Sequence, residues 1–151
     1  MKVKEIMVKD VTSISPESAV NEALGILQKL EISGLPVIDE SGKLVGMFTE
    51  KDILSYILPS YIEKVGRFIY EENPKSTKKK FIELNKIKVS QLMRKDVVTT
   101  TEDTTLCEVA RIMLTKKARR IPVMDKTGKI AGIVARCDIL KALDLESKQA
   151  V

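Results

Sequence analysis

One pattern occurs twice in this chain, and that duplication limits what it can fold into. Val3–Leu54 aligns with Val89–Leu140 at a constant offset of 86, without a gap. Sixteen of the 52 positions are identical, including Met7/Met93, Asp10/Asp96, Pro36/Pro122, Asp39/Asp125, Gly42/Gly128, Gly46/Gly132 and Asp52/Asp138. Two copies in register imply two like structural units, neither of which completes a core alone.

Each copy reads in the order β-α-β-β-α. A short helical lead, Val3–Met7, precedes a Lys-Asp turn, and Val11–Ile14 is β-rich. Ser15 suits an N-cap with Pro16 at the first helical position, and Thr101 takes the capping role in copy two. Val20, Leu24, Leu27 and Leu30 recur at helical spacing, as do Leu106, Ile112 and Met113. Gly34 is suited to end the first helix; Arg120 stands at the matching position, so the second helix is expected to end differently. Strands are expected at Leu35–Ile38 and Lys43–Thr49, around a type I turn from Asp39 to Gly42. Asp52 then leads a helix over Ile53–Leu58. One such unit cannot cover both faces of its sheet, hence the second.

Ser55–Lys88 separates the copies. Ile57, Leu58, Tyr61, Ile62, Val65, Phe68 and Ile69 keep a helical rhythm that resumes after Pro59. Asn73–Lys80, NPKSTKKK, has turn and charge character and is expected to be an exposed loop. Phe81, Leu84 and Ile87 form a short amphipathic piece, and Glu146–Val151 a frayed tail. The division expected along the chain is repeat 1 over 1–60, a helical and basic connector over 61–88, and repeat 2 over 89–151.

Composition mainly excludes. There is no histidine, which removes the commonest general base and any His-led metal site or triad. Cys107 and Cys137, 30 residues apart, make no metal-type pair and read as inert small residues, with Cys137 near Asp138. No run approaches the length of a membrane span, and the start lacks an apolar signal core, so a cytoplasmic location is expected. A formal charge of +5 favours anionic partners.

With both copies in view, the chain resembles a tandem pair of cystathionine-β-synthase (CBS) domains, a Bateman module. The resemblance rests on MVKDVTSISPESAVNEAL with SGLPVIDESGKLVGMFTEKDIL, and on MRKDVVTTTEDTTLCEVA with ARRIPVMDKTGKIAGIVARCDIL. It implies an α/β (α+β) fold of two repeats about a pseudo-twofold axis, with two equivalent clefts between their sheets. It also implies an adenosyl ligand in those clefts (AMP, ADP, ATP or S-adenosylmethionine) and a regulatory role in place of catalysis. No catalytic residue, metal or catalytic cofactor is expected. The partners implied are a second copy of the chain and an unidentified regulated protein, with no membrane.

The family's cleft pattern is a Gly, a hydrophobic residue, and a Ser or Thr three residues before an Asp that accepts both ribose hydroxyls. Copy one has it complete in Gly46, Met47, Thr49 and Asp52, with Lys51 beside the Asp. Copy two has Gly132, Ile133 and Asp138 but Ala135 in place of the hydroxyl, with Arg136 following and Arg119 and Arg120 before Ile121-Pro122. By resemblance, the Asp138 cleft also takes Thr12 and Ser33, and the Asp52 cleft takes Val98 and Ala118 or Arg119. Two guanidiniums make the Asp138 cleft the favoured phosphate site, against the hydroxyl missing at Ala135.

Plainer roles fit the same residues. Thr49-x-x-Asp52 has capping-box spacing, and Asp138 can be a first-turn acid. Lys116, Lys117, Arg119 and Arg120 can complement a helix C-terminus. Gly46 and Gly132 can serve close backbone packing, and Met7, Met93 and Met113 can line the core. Two other functions stay open: a structural homodimerisation module with empty clefts, and weak nucleic-acid binding through Lys75, Lys78, Lys79, Lys80, Arg119 and Arg120, which lacks nearby stacking aromatics.

Overall fold

A computed structural model describes residues 1–58 and 74–149. The elements are α1 (Val20–Leu30), β1 (Gly34–Ile38), β2 (Leu44–Thr49), α2 (Glu50–Ile57), α3 (Pro74–Ile82), α4 (Val89–Leu92), β3 (Thr100–Thr101), α5 (Leu106–Thr115), β4 (Arg120–Met124), β5 (Ile130–Ala135) and α6 (Arg136–Gln149), with 3-10 turns at Val3–Glu5 and Glu83–Lys86. The expected mixed α/β class is what forms. The helical rhythm expected from Tyr61 to Ile69 lies outside the described residues.

The compact units are not the sequence repeats. Unit 1 comprises Met1–Thr12, Ser41–Leu44 and Asp96–Val151; unit 2 comprises Ser13–Glu40 and Val45–Lys95. The lead of each copy therefore folds into the unit that holds the other copy's strands. In unit 1, Val8 pairs with Ile133 and Lys2 with Thr105; in unit 2, Arg94 pairs with Met47 and Lys88 with Ala19. A shift of 86 turns each of these pairs into its counterpart. The boundaries expected at 60/61 and 88/89 follow the sequence repeats; the compact units change over at 12/13, 40/41, 44/45 and 95/96.

The two glycines decide this exchange. A Cβ at Gly132 would lie 2.7 Å from Met7 Sδ and 2.8 Å from Val8 O; one at Gly46 would lie 2.7 Å from Met93 Sδ and 2.8 Å from Arg94 O. Only a residue without a side chain lets the incoming lead reach the strand. The packing role is thus the one that the geometry supports for both.

Within unit 1, β4 pairs antiparallel with β5 and parallel with β3. Val3, Val109, Met113, Ile121, Val123, Val134 and Ile139 form its apolar core. In unit 2, β1 pairs with β2, and Ile14 bridges Val37 as Thr100 bridges Val123 in unit 1. Its core includes Val20, Leu27, Leu35, Phe48, Leu84 and Val89.

Several local expectations are corrected. α1 starts at Val20, not Pro16, and its N-cap Ala19 makes no side-chain bond. Ser15 instead closes a turn, accepting from the Glu17 N–H at 3.2 Å. The Val20 N–H is satisfied by Ile87 O at 2.8 Å, so the second copy's lead replaces a cap. Thr105, not Thr101, caps α5, its Oγ1 accepting from the Glu108 N–H. Neither helix ends at Gly34 or its counterpart. Both turn through a left-handed residue at matching positions, Glu31 (φ 54°) and Lys117 (φ 54°), so the second helix ends as the first does. Pro74–Ile82 is helical, not a loop. Proline suits its first position, and Lys80 Nζ lies 5.6 Å from the Tyr56 ring centroid. Leu84 is buried as expected, whereas Phe81 is exposed.

The turns behave as expected. Asp125 Oδ1 accepts from Thr127 N at 2.8 Å and Lys129 N at 3.0 Å, and Gly128 sits at φ 83°. The Thr127 hydroxyl and then the Lys129 N–H hold the Asp125 carboxyl below its ordinary value. In unit 1, Lys4 Nζ donates to Asp103 at 3.1 Å, and Lys2 Nζ lies 3.8 Å from it. The Lys4 hydrogen bond, with the charges of Lys4 and Lys2, lowers the Asp103 carboxyl's pKa. In unit 2 the matching clip is Lys88 to Glu17 at 2.7 Å.

Candidate functional site at two strand–helix junctions

In unit 2 the junction is the step from β2 to α2. Thr49 donates both its N–H (2.8 Å) and its hydroxyl (3.1 Å) to Asp52 Oδ2. The Glu50 N–H donates to Ser33 O at 3.1 Å, which ties the junction to the start of β1. Asp52 is half-buried at the third helical position, while Lys51 and Glu50 are exposed. Met47 exchanges both backbone hydrogen bonds with Arg94, at 2.9 and 2.8 Å.

In unit 1 the step from β5 to α6 repeats this geometry. The Ala135 N–H donates to Asp138 Oδ2 at 2.8 Å. The Arg136 N–H donates to Arg119 O at 3.3 Å, and Ile133 exchanges hydrogen bonds with Val8 at 2.8 and 2.9 Å. Cys137 is free, with its Sγ 4.0 Å from Asp138 Oδ1. Cys107 is likewise free and exposed.

Capping does not exhaust these acids as acceptors. A carboxylate has about four lone-pair positions. Each cap uses Oδ2; in unit 1 the Cys137 thiol lies 4.0 Å from the other oxygen. A backbone N–H suffices for this half of the capping box, which is why Asp138 caps without a hydroxyl at 135.

Unit 1 thus brings together Arg119, Arg120, Ile133, Ala135, Arg136 and Asp138 on neighbouring strand and helix ends. Unit 2 does the same for Met47, Thr49, Lys51 and Asp52. Thr12 is an exposed residue of unit 1, and Ser33 belongs to unit 2. Val98 and Ala118 pack against the apolar core of unit 1.

The hydroxyl absent at 135 goes with a larger residue opposite it. Arg120 is the register partner of Ala135 across β4 and β5. At the matching place in unit 2, a Cβ on Gly34 would meet Thr49 Cγ2 at 3.0 Å and Phe48 O at 3.3 Å. The pair is Gly–Thr in one unit and Arg–Ala in the other. A side chain on the first strand is accommodated where the second strand gives up its branched methyl. Glu50 had not been singled out in the sequence, yet it holds in unit 2 the place of Arg136. Comparing the junctions position by position would have found it.

A further depression of about 470 Å³ in unit 1 is lined by Lys4, Thr101, Asp103, Asp125, Lys126 and Thr127 among others. It lies at the other end of β4 from Arg120, and two of its acids, Asp103 and Asp125, are already engaged. No helix among the described residues is long and apolar enough to cross a membrane.

Two tandem repeats, each closing its second strand on a capped carboxylate, define a duplicated module. The chain belongs to the CBS domain family: the family profile matches residues 3–59 and 89–145. It is similar to an inosine-5'-monophosphate dehydrogenase of Methanocaldococcus jannaschii, 33% identical over 140 residues. That match covers 93% of this chain but only 23% of the dehydrogenase, and the share is again 23% for a dehydrogenase of Aquifex aeolicus. The chain thus spans about a quarter of the length of these relatives. Among solved structures, the CBS-pair protein CBSX2 from Arabidopsis thaliana superposes with a TM-score of 0.79 at 27% identity, covering 98% of this chain and 96% of that one. CBSX2 in complex with AMP superposes with a TM-score of 0.73 at 26% identity, covering 97% and 98%.

Proposed function

We propose that this chain is a regulatory, non-catalytic module that binds an adenine nucleotide (AMP, ADP or ATP, with S-adenosylmethionine as the alternative adenosyl ligand) and passes its occupancy to a partner protein. One observation carries the reading: in each unit a junction Asp caps its helix through Oδ2, and a carboxylate engaged in this way retains acceptor capacity that suits a ligand diol. The AMP complex of CBSX2 supports the choice of ligand class. Binding would act by favouring one arrangement of the chain over another, to the extent that the ligand discriminates between them.

Asp52→Asn and Asp138→Asn test this cleanly. The amide oxygen can still accept the cap hydrogen bond, whereas the amide NH2 cannot accept from a hydroxyl. Adenosyl ligands should raise the melting temperature of the wild-type chain, by an amount equivalent to about 2.7 kcal/mol at a hundredfold excess over Kd. The double Asn variant should fold and show no such rise. An unchanged rise in that variant defeats the assignment, and no rise in wild type favours a purely structural module.

Homodimerisation is a second reading, and it has its own observation. Leu54 on α2 and Leu58 just past its end are 54% and 49% exposed; Leu140 and Leu143 on α6 are 67% and 48% exposed. Leu54 and Leu140 occupy matching positions, and apolar side chains exposed at like places in both repeats suit an interaction surface. Light scattering on Leu54→Glu/Leu140→Glu should read half the mass of the parent; a parent that is itself monomeric rules this out.

A further inference from the structure

Each lead is clasped to its strand through a methionine. Met7 Sδ lies 2.7 Å from the point where a Cβ on Gly132 would stand, and Met93 Sδ lies 2.7 Å from the same point on Gly46. The thioether thus rests on a bare glycine Cα. The next residue on each side closes the clasp: Val8 exchanges backbone hydrogen bonds with Ile133 at 2.8 and 2.9 Å, and Arg94 does so with Met47 at 2.8 and 2.9 Å. Both methionines are half-buried, Met7 against the apolar core of unit 1 and Met93 against that of unit 2. The other four differ. Met113 is 1% exposed, Met1 is 49% exposed, and Met47 and Met124 are half-buried outside both cores.

From this we infer that Met7 and Met93 are paired oxidation sites, and that conversion of each thioether to its sulfoxide opens the clasp it belongs to. The oxidant is a peroxide small enough to reach a half-buried sulfur, such as hydrogen peroxide. The Sδ lone pair attacks one peroxide oxygen and the O–O bond breaks. The displaced hydroxide takes the proton left on the new S–OH and leaves as water. Sulfur loses two electrons and the peroxide gains them. The product is polar and a strong acceptor where the thioether was apolar. Inside the clasp it meets no donor: the glycine Cα offers none, and the two backbone N–H groups that close each clasp already donate across it. A buried acceptor without a donor is costly, so the sulfoxide turns to water and draws the lead off its strand. Each lead completes the unit that holds the other copy's strands, so oxidation loosens both units at matching places. Thiol-dependent methionine sulfoxide reductases reverse the change, releasing the oxygen as water while two thiols become a disulfide. None of this depends on an adenosyl ligand.

Hydrogen peroxide treatment of the full chain tests this, with Cys107→Ser and Cys137→Ser in every protein so that thiol oxidation does not contribute. Peptide mass spectrometry should show Met7 and Met93 each gaining one oxygen before Met113 does. The melting temperature should fall by about 4 °C or more. Amide exchange at Val8, Ile133, Met47 and Arg94 should quicken ahead of that in α5. Methionine sulfoxide reductases for both epimers, with a dithiol, should restore both readings. Met7→Leu/Met93→Leu keeps the packing volume; at the same peroxide dose it should hold its melting temperature even as Met1 is oxidised. Should the leucine variant not fold, the reductase arm decides alone. Met7 and Met93 staying reduced while Met1 and Met47 are converted overturns the inference. So does their conversion with neither reading changed, or an equal loss of stability in the leucine variant.

Discussion

Arg120 stands opposite Ala135 across the β4–β5 ladder, where the other unit has Gly34 facing Thr49 with 3.0 Å between a notional Cβ and Thr49 Cγ2. Two residues that look unrelated in the sequence are one steric choice. Ala135→Thr should therefore destabilise the chain by about 1–2 kcal/mol, the usual range for a crowded methyl group. In the Arg120→Gly background the same change should cost much less. A double-mutant cycle by urea unfolding checks this, with a coupling above about 0.5 kcal/mol expected for side chains in contact.

Gly46→Ala and Gly132→Ala should each cost about 1–3 kcal/mol, because the added methyl group meets a backbone oxygen as well as a flexible sulfur. Gly25 is the control. It lies in the interior of α1 with nothing within 4 Å of its Cβ position. Gly25→Ala should stabilise by about 0.5–1 kcal/mol through helix propensity. Thermal unfolding of the three variants gives the comparison.

Glu31 and Lys117 hold a left-handed backbone that costs a non-glycine residue about 1 kcal/mol or more. Glu31→Gly and Lys117→Gly should each raise stability by about 0.5–1 kcal/mol, since relief of that cost exceeds the entropy of glycine. A lower melting temperature in either variant contradicts this.

Acid should loosen unit 1 at its lead. Asp103 titrates below its ordinary 3.8 in the fold, chiefly through the Lys4 hydrogen bond. A depressed carboxyl stabilises fully above the unfolded value and loses that contribution as pH falls through the folded one. The urea midpoint should therefore show no Asp103-dependent change between neutral pH and about pH 5. Below 3.8 it should fall more steeply in wild type than in Asp103→Asn. Parallel curves for the two proteins would exclude the clip as a source of acid sensitivity.

Much of this protein is legible without coordinates. The offset of 86 and the apolar spacing of Val20 and Leu27 are enough to place the repeats, the strand order and both junction acids. Cap positions were less legible. Ser15 has cap chemistry, yet α1 begins at Val20 because Ile87 O arrives to take its N–H. A backbone acceptor 67 residues away leaves no mark on the local sequence.

Side-chain period, turn chemistry and internal duplication are properties of neighbours along the chain, so the sequence by itself determined the repeats, the paired strands of each copy and the paired Asp residues, though not the helix over Pro74–Ile82. Tertiary structure alone decided which copy's lead completes which unit, that Gly46 and Gly132 exist to admit it, and that Ala135 answers Arg120. Each of these depends on atoms brought within about 3–4 Å by folding, and contact at that range is set by backbone paths that no local pattern encodes.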